Sequence, residues 1–216
     1  MERKTVNCRR EPIEYFNEYF SECAVNDPVL INIRGCNGSG KSTIPLMMHS
    51  CKSIILTMEG KDVATFFPDY KIIAIGTYRN KTGGLDTFGT NEMTEKVLNM
   101  LCTTGCNIIA EGVISSTIKS TYATLFSNIQ SVHGYTSHIM LLLPPVEVCL
   151  QRIQQRNGGK EIDEELVKSK WRTVERQYEF FKDAGFNVWK SDNSVIAKAE
   201  TLDWFYGELQ SNGVNL

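Results

Sequence analysis

Short apolar runs alternate with stripes of helical period along this chain. Val29-Leu30-Ile31-Asn32-Ile33 has the length and bulk of a buried strand, and similar runs occupy Ser53–Met58, Lys71–Tyr78, Cys106–Val113, His138–Leu143 and Phe186–Trp189. Between them, apolar residues recur in steps of three and four over Asn91–Leu101, Ser116–Ile129 and Pro145–Gln155. The longest stripe runs from Asp163 to Ala184 and carries Val167, Trp171, Val174, Tyr178 and Phe181. A helix is predicted at the N-terminal end over 12–24. Pro12 would sit in its first turn and Ile13, Phe16, Phe20 and Cys23 would share a face, before Asn26-Asp27-Pro28 breaks it. A last helix is expected over Ala197–Leu209. Strands alternating with helices predict βαβ units: an α/β fold with a mostly parallel sheet and helices on both faces. Ligands of such sheets bind beyond the carboxyl ends of the strands.

The first strand runs directly into Gly35-Cys36-Asn37-Gly38-Ser39-Gly40-Lys41-Ser42-Thr43, a complete G-x-x-x-x-G-K-[ST] phosphate loop. Its glycines let backbone N–H groups turn around phosphate oxygens, and the following helix N-terminus, expected to run to about Cys51, adds partial positive charge. Lys41 is expected on the β- and γ-phosphates of ATP, and Ser42 on Mg²⁺. The motif sharpens the fold to a three-layer P-loop NTPase, read as one domain over 1–216. Pro45 falls near the first helical turn, where its missing N–H costs little.

The other strand ends hold the remaining candidates. An Asn-Lys-x-Asp base-reading motif is absent, since Asn80-Lys81-Thr82-Gly83 lacks the aspartate, which argues against a GTPase. Asn107-Ile108-Ile109-Ala110 ends in Glu111-Gly112, where a carboxylate would orient Mg²⁺-bound water or accept a proton from a substrate hydroxyl. The segment after Ile75 holds Tyr78, Arg79, Lys81, Gly83, Gly84 and Asp86. There Tyr78 is a candidate for stacking on a base, with Phe88 a second ring. Arg79 and Lys81 are candidates for an acceptor phosphate, beside the flexible pair Gly83-Gly84. Asp86 is a second candidate for the general base. Arg152 and Arg156 share a helix face at i, i+4 and precede Gly158-Gly159-Lys160, as in a lid at about 152–165 that closes over ATP. Arg172 and Arg176 repeat that spacing on the next helix.

Composition narrows the classes. Of the 216 residues, 42% are hydrophobic and 22% charged, which suits one globular domain with a sizeable core. A net charge of −2 and a pI near 6.0 supply no global field for nucleic acid, so DNA contact would need a local basic cleft, the best candidate being 79–81. No apolar run reaches the roughly 20 residues of a membrane span, and Met1-Glu2-Arg3-Lys4 leads into polar sequence without a signal-peptide core. Seven cysteines without CxxC pairs, and three histidines away from ligand spacing, are expected to be reduced thiols of a cytoplasmic protein without zinc.

With strand, phosphate loop, lid arginines and a short chain, the sequence resembles the nucleoside and nucleotide monophosphate kinases, thymidylate kinase among them. The acidic-Arg motif of thymidylate kinases is missing, because Gly112 follows Glu111. The sequence is more similar to a group of bacteriophage P-loop kinases. These carry an Arg-Gly-x-Asn-Gly-Ser-Gly-Lys-Ser-Thr loop, a Gly-Gly-x-Asp motif and a Glu-Gly strand end, here Arg34–Thr43, Gly83–Asp86 and Glu111-Gly112. Some members are 5-hydroxymethyluracil DNA kinases, so the resemblance implies ATP, Mg²⁺ and hydroxymethyluracil-containing DNA as partners, in a host cytoplasm. A kinase of a free nucleoside, nucleotide or other small hydroxyl compound is the alternative. A nucleotide-binding regulator without transfer chemistry would need the loop but neither Asp86 nor Glu111.

Overall fold

The computed structural model describes residues 9–16, 18, 21–48, 52–78, 84–192 and 195–210. Among them a single sheet runs in the order β1-β3-β4-β5-β6-β2-β7-β8. Its strands are β1 Arg10–Pro12, β2 Val29–Arg34, β3 Ile54–Met58, β4 Lys61–Phe67, β5 Ile72–Ile75, β6 Asn107–Glu111, β7 Thr136–Leu142 and β8 Asn187–Ser191. All neighbours pair in parallel except β3 with β4 and β4 with β5. The helices are α1 Thr43–Met47, α2 Asn91–Cys102, α3 Val113–Thr117, α4 Ser120–His133, α5 Val146–Arg156, α6 Glu164–Glu175, α7 Gln177–Asp183 and α8 Val195–Gln210. No helix among the described residues is long and apolar enough to cross a membrane.

Strand β2 lies between β6 and β7 and is buried on both faces, as a continuous apolar run requires. Its side chains alternate. Leu30 enters one core with Val97 of α2, Phe126 of α4 and Phe181 of α7. Val29, Ile31 and Ile33 enter a second core with Ile44 of α1 and Phe205 of α8. These are the two helix layers that the sequence predicts. The carboxyl ends of β2, β6 and β7 are register neighbours, with Ile33 opposite Glu111 and Arg34 opposite Leu141. The phosphate loop and the Glu111-Gly112 end are thereby placed side by side.

Four stretches differ from expectation. Strand β4 has no counterpart in the sequence reading. It turns back from β3 through Glu59 and Gly60, at φ 52° and 74°, a two-residue turn of the twist that hairpins favour. At the N-terminal end, Pro12 closes the edge strand β1, where a missing N–H faces no partner strand, and then starts a 3₁₀ turn over Ile13–Tyr15. Ile13 and Phe16 are buried as the helical stripe requires; within the predicted span 12–24, residues 13–15 and 21–23 form 3₁₀ turns, Phe16 and Glu18 are α-helical, and 17, 19 and 20 lie outside the described residues. Finally, the stripe over 163–184 bends at Arg176 into α6 and α7. The stretch expected as one helix from Ser116 is likewise divided, between α3 and α4, where Ile118 leaves helical conformation.

Candidate active site

The phosphate loop leaves the end of β2 and its conformation follows from its glycines. Gly38 and Gly40 have φ of 77° and 97°, in the region that glycine alone enters readily. A side chain at Gly38 would also meet the Cys149 carbonyl oxygen of α5 at 2.4 Å. Helix α5 thus rests directly on the loop, with the Cys36 and Cys149 thiols 3.4 Å apart beneath the contact. Lys41 is buried and donates to the carbonyls of Gly35 at 2.9 Å and Cys36 at 3.0 Å. Burial lowers the affinity of its amine for the proton, and the negative charges of Glu111 and Asp86 act in the opposite direction. Thr43–Met47 then continues as helix with Pro45 in its first turn, and 49–51 lie outside the described residues.

Glu111, 2% exposed, accepts a hydrogen bond from the Ser42 hydroxyl at 3.0 Å. Burial raises its carboxyl above the ordinary value, while Lys41 and the Ser42 hydroxyl pull it back down. Two oxygen donors, a hydroxyl and a carboxylate, stand together beside the loop, which suits a hard cation such as Mg²⁺. Among the described residues no group of three or more His, Cys, Asp or Glu could hold a metal by itself. A Mg²⁺ ion here would therefore draw further oxygens from phosphates and water, as magnesium normally does.

Asp86 lies on a 3₁₀ turn, Gly84–Thr87, packed against the end of β6. Its oxygens accept from the backbone N–H of Val113 at 2.6 Å and of Ile114 at 2.9 Å, which fixes the carboxylate over the start of α3. Gly84, at φ 69°, lets this turn press so close that a Cβ would stand 2.1 Å from the Glu111 carbonyl oxygen. The two candidate carboxylates therefore share one packed unit. Asp86 remains half-buried at the rim, and Glu111 is sealed below it.

The other candidates divide. Arg152 reaches the loop, its guanidinium donating to the Gly38 carbonyl at 3.4 Å. Arg156 is exposed in the last turn of α5, and Arg172 and Arg176 are exposed as well. Tyr78 is 3% exposed with left-handed φ of 53°, and its hydroxyl sits against Glu111; burial first, and then the Glu111 charge, push that hydroxyl well above its usual pKa. The expectation of an open stacking ring is thus corrected: Tyr78 packs into the sheet's second core because its side chain turns inward beside Ile109 and Ala74. Arg79, Lys81 and Gly83 lie outside the described residues.

Two groups were not singled out as functional from the sequence. Arg34, fully buried, donates to Gln177 Oε1 at 2.8 Å, Asn32 Oδ1 at 2.9 Å, Ser115 O at 2.6 Å and Ile118 O at 2.9 Å, and lies 4.8 Å from the Phe181 ring centre. Burial pushes its guanidinium down to about 9, still charged at neutral pH. Gln177 also donates to Ser116 O, while the Ser116 hydroxyl accepts from the Gly35 N–H and donates to the Gly112 carbonyl. This network ties the phosphate loop, the Glu111-Gly112 end and α7 into one piece. The second group is Lys170 of α6, whose amine donates to the Asn37 side-chain oxygen at 3.4 Å. The sequence signal for both was polarity in an apolar register. Arg34 follows five strand residues, and Lys170 and Gln177 fall on the inward stripe with Val167, Val174 and Phe181.

Residues 23–199 match the family model for 5-hmdU DNA kinase. The chain belongs to this family. It is 47% identical over 192 residues to the 5-hmdU DNA kinase of Bacillus phage SP10, an alignment covering 86% of this chain and 30% of that protein. It is 30% identical over 183 residues to 5-hmdU DNA kinase 1 of Salmonella phage ViI, covering 79% of this chain and 80% of that one. With the 5-hmdU DNA kinase of Pseudomonas phage M6 the identity is 35% over 162 residues, covering 68% and 81%. The chain thus spans under a third of the SP10 relative and about four-fifths of the other two. A kinase family implies a nucleotide donor, in keeping with the complete phosphate loop.

Proposed function

We propose that this protein transfers the γ-phosphoryl group of ATP to the 5-hydroxymethyl group of hydroxymethyluracil in DNA, using one kinase domain that extends over the whole chain. The observation that carries the transfer chemistry is the contact of Ser42 with Glu111 at 3.0 Å, directly beside the buried Lys41. Family membership carries the choice of acceptor.

The loop amides and Lys41 bind the β- and γ-phosphates. Ser42 and Glu111 would hold Mg²⁺, which when bound neutralises charge on the phosphate oxygens. Glu111 is the metal-side carboxylate in this reading, because it is sealed and already engaged by Ser42. Asp86 is the group that accepts the proton of the hydroxymethyl oxygen, because it stands at the rim with its orientation fixed by two backbone N–H groups. Phosphoryl transfer asks more of the positioning of such a base than of its strength. Arg152, arriving with α5, stabilises charge on the transferring group. A target base within a duplex would have to leave the stack to reach this pocket. The 79–81 cluster is the candidate for holding its backbone, and the reaction belongs in a host cytoplasm, where ATP and DNA meet.

Incubation with γ-labelled ATP and either hydroxymethyluracil-containing DNA or the free nucleosides and nucleotides tests the acceptor. Label on the DNA is expected, lost in Asp86→Asn and Glu111→Gln variants that still fold. Label confined to the free compounds would replace this reading with that of a small-molecule kinase, and wild-type transfer by both variants would remove the two carboxylates from the mechanism.

A further inference from the structure

The two arms of the lid converge on the mouth of the phosphate loop. Arg152 comes from α5, on one side of the Gly158-Gly159 turn, and bonds Gly38 O. Lys170 comes from α6, on the other side, and bonds Asn37 Oδ1. A small apolar cluster of Cys36, Cys149, Ile153 and Val167 seats both helices on the loop, so neither approach depends on a single long side chain. Lys170 is partly buried and lies on the inward stripe of α6. Among the described residues it has no carboxylate within ion-pair distance, unlike its neighbour Lys168, which is held by Glu164 and Glu165. A partly buried ammonium bonded to a neutral amide oxygen at 3.4 Å is weakly restrained and free to turn to a stronger acceptor.

We propose that Lys170 is a phosphate-contacting residue of the transfer reaction, its ammonium leaving Asn37 to bond an oxygen of the γ-phosphoryl group as that group moves to the acceptor. With Lys41 on the floor of the loop and Arg152 on its other flank, Lys170 completes a ring of cations around the group in transit. No bond to Lys170 forms or breaks. The phosphoryl passes from the ADP oxygen to the acceptor oxygen, and the acceptor proton goes to Asp86. The inference rests on the phosphoryl-transfer reading above, and extends it to a residue outside the loop, the two carboxylates and the lid arginine pair.

The test compares Lys170→Gln, which keeps a hydrogen-bonding partner for Asn37 but removes the charge, with Lys170→Arg, which keeps the charge. Three quantities are measured for each: steady-state transfer to hydroxymethyluracil DNA, ATP hydrolysis without acceptor, and the Kd for ATP, with the melting temperature as a check on folding. The glutamine variant is expected to lose about a hundredfold in kcat with little change in ATP affinity or melting temperature, and the arginine variant to recover most of that loss. Wild-type kcat in the glutamine variant would overturn the proposal. So would a loss carried entirely by ATP affinity or melting temperature, since that is the signature of a structural clasp on Asn37. Should the wild-type protein fail to label DNA, the acceptor assignment falls. ATP hydrolysis by the variants then still decides the role of Lys170.

Discussion

The contact between the Asp86 turn and Glu111 yields a sharp prediction at Gly84. Replacement by alanine adds one methyl group, in two unfavourable respects. The left-handed φ of 69° costs an alanine about 1–2 kcal/mol. The new Cβ would also lie 2.1 Å from the Glu111 carbonyl oxygen and 2.9 Å from its Oε1. The closer contact is to the backbone at the end of a buried strand, so the turn must withdraw by about an ångström rather than the strand yield. That withdrawal strains the two N–H bonds to Asp86, and a hydrogen bond to a charged group contributes about 1.5–3 kcal/mol. Loss of one such bond brings the expected destabilisation of Gly84→Ala to about 2.5–5 kcal/mol. Gly89 isolates the backbone component. It has φ of 75° and open space within 4 Å of where a Cβ would stand, so Gly89→Ala should cost only the left-handed backbone penalty. Urea unfolding followed by tryptophan fluorescence gives both values. Because Asp86 moves with the turn, Gly84→Ala should also lower kcat about a hundredfold, the effect expected of an ångström's misplacement, while Gly89→Ala leaves kcat near wild type. Equal stabilities for the two variants, with wild-type kcat in both, would refute the close packing of this turn on Glu111.

Two further outcomes follow from the buried charges. Arg34→Lys replaces a planar fork by a compact ammonium that cannot serve Gln177, Asn32, Ser115 and Ile118 together, and the orphaned acceptors should cost about 2–4 kcal/mol in chemical denaturation. A lysine variant within 1 kcal/mol of wild type would show that the network is dispensable. Glu111 has a raised carboxyl pKa, so its ionised form is lost as pH falls through a value above the ordinary carboxylate range. The acid limb of kcat/KM should therefore lie above the ordinary carboxylate range and move lower as Mg²⁺ concentration rises; a limb indifferent to Mg²⁺ would exclude Glu111 as its source.

Much of this molecule was legible in one dimension because its signals are local. The run Val29–Ile33 is apolar on both faces, as a central parallel strand must be, and the loop that follows carries its own glycines, lysine and hydroxyl at fixed spacing. The parallel sheet, the two helix layers and the placing of Glu111 at a strand end follow from the same periodicities. Strand β4 escaped because Lys61-Asp62 opens it with charge, and its place is set by pairing with β3 and β5 rather than by its own pattern.

What only the tertiary structure decided is which side chains meet. The spacing of Asp86 and Glu111 along the chain says nothing of a turn that packs one against the strand carrying the other, and Gly84 has value only through that approach. Tyr78 reads as an exposed ring after a strand, yet it turns inward, because a loop residue's burial depends on the sheet beneath it. Arg34, Gln177 and Lys170 reach the site across 143, 61 and 133 positions of chain. Their roles arise from distances that no local period encodes. The sequence by itself determined a phosphate cradle on a parallel sheet. The assembly of cations and carboxylates around it came from long-range packing, where desolvation makes each charge strong enough to matter.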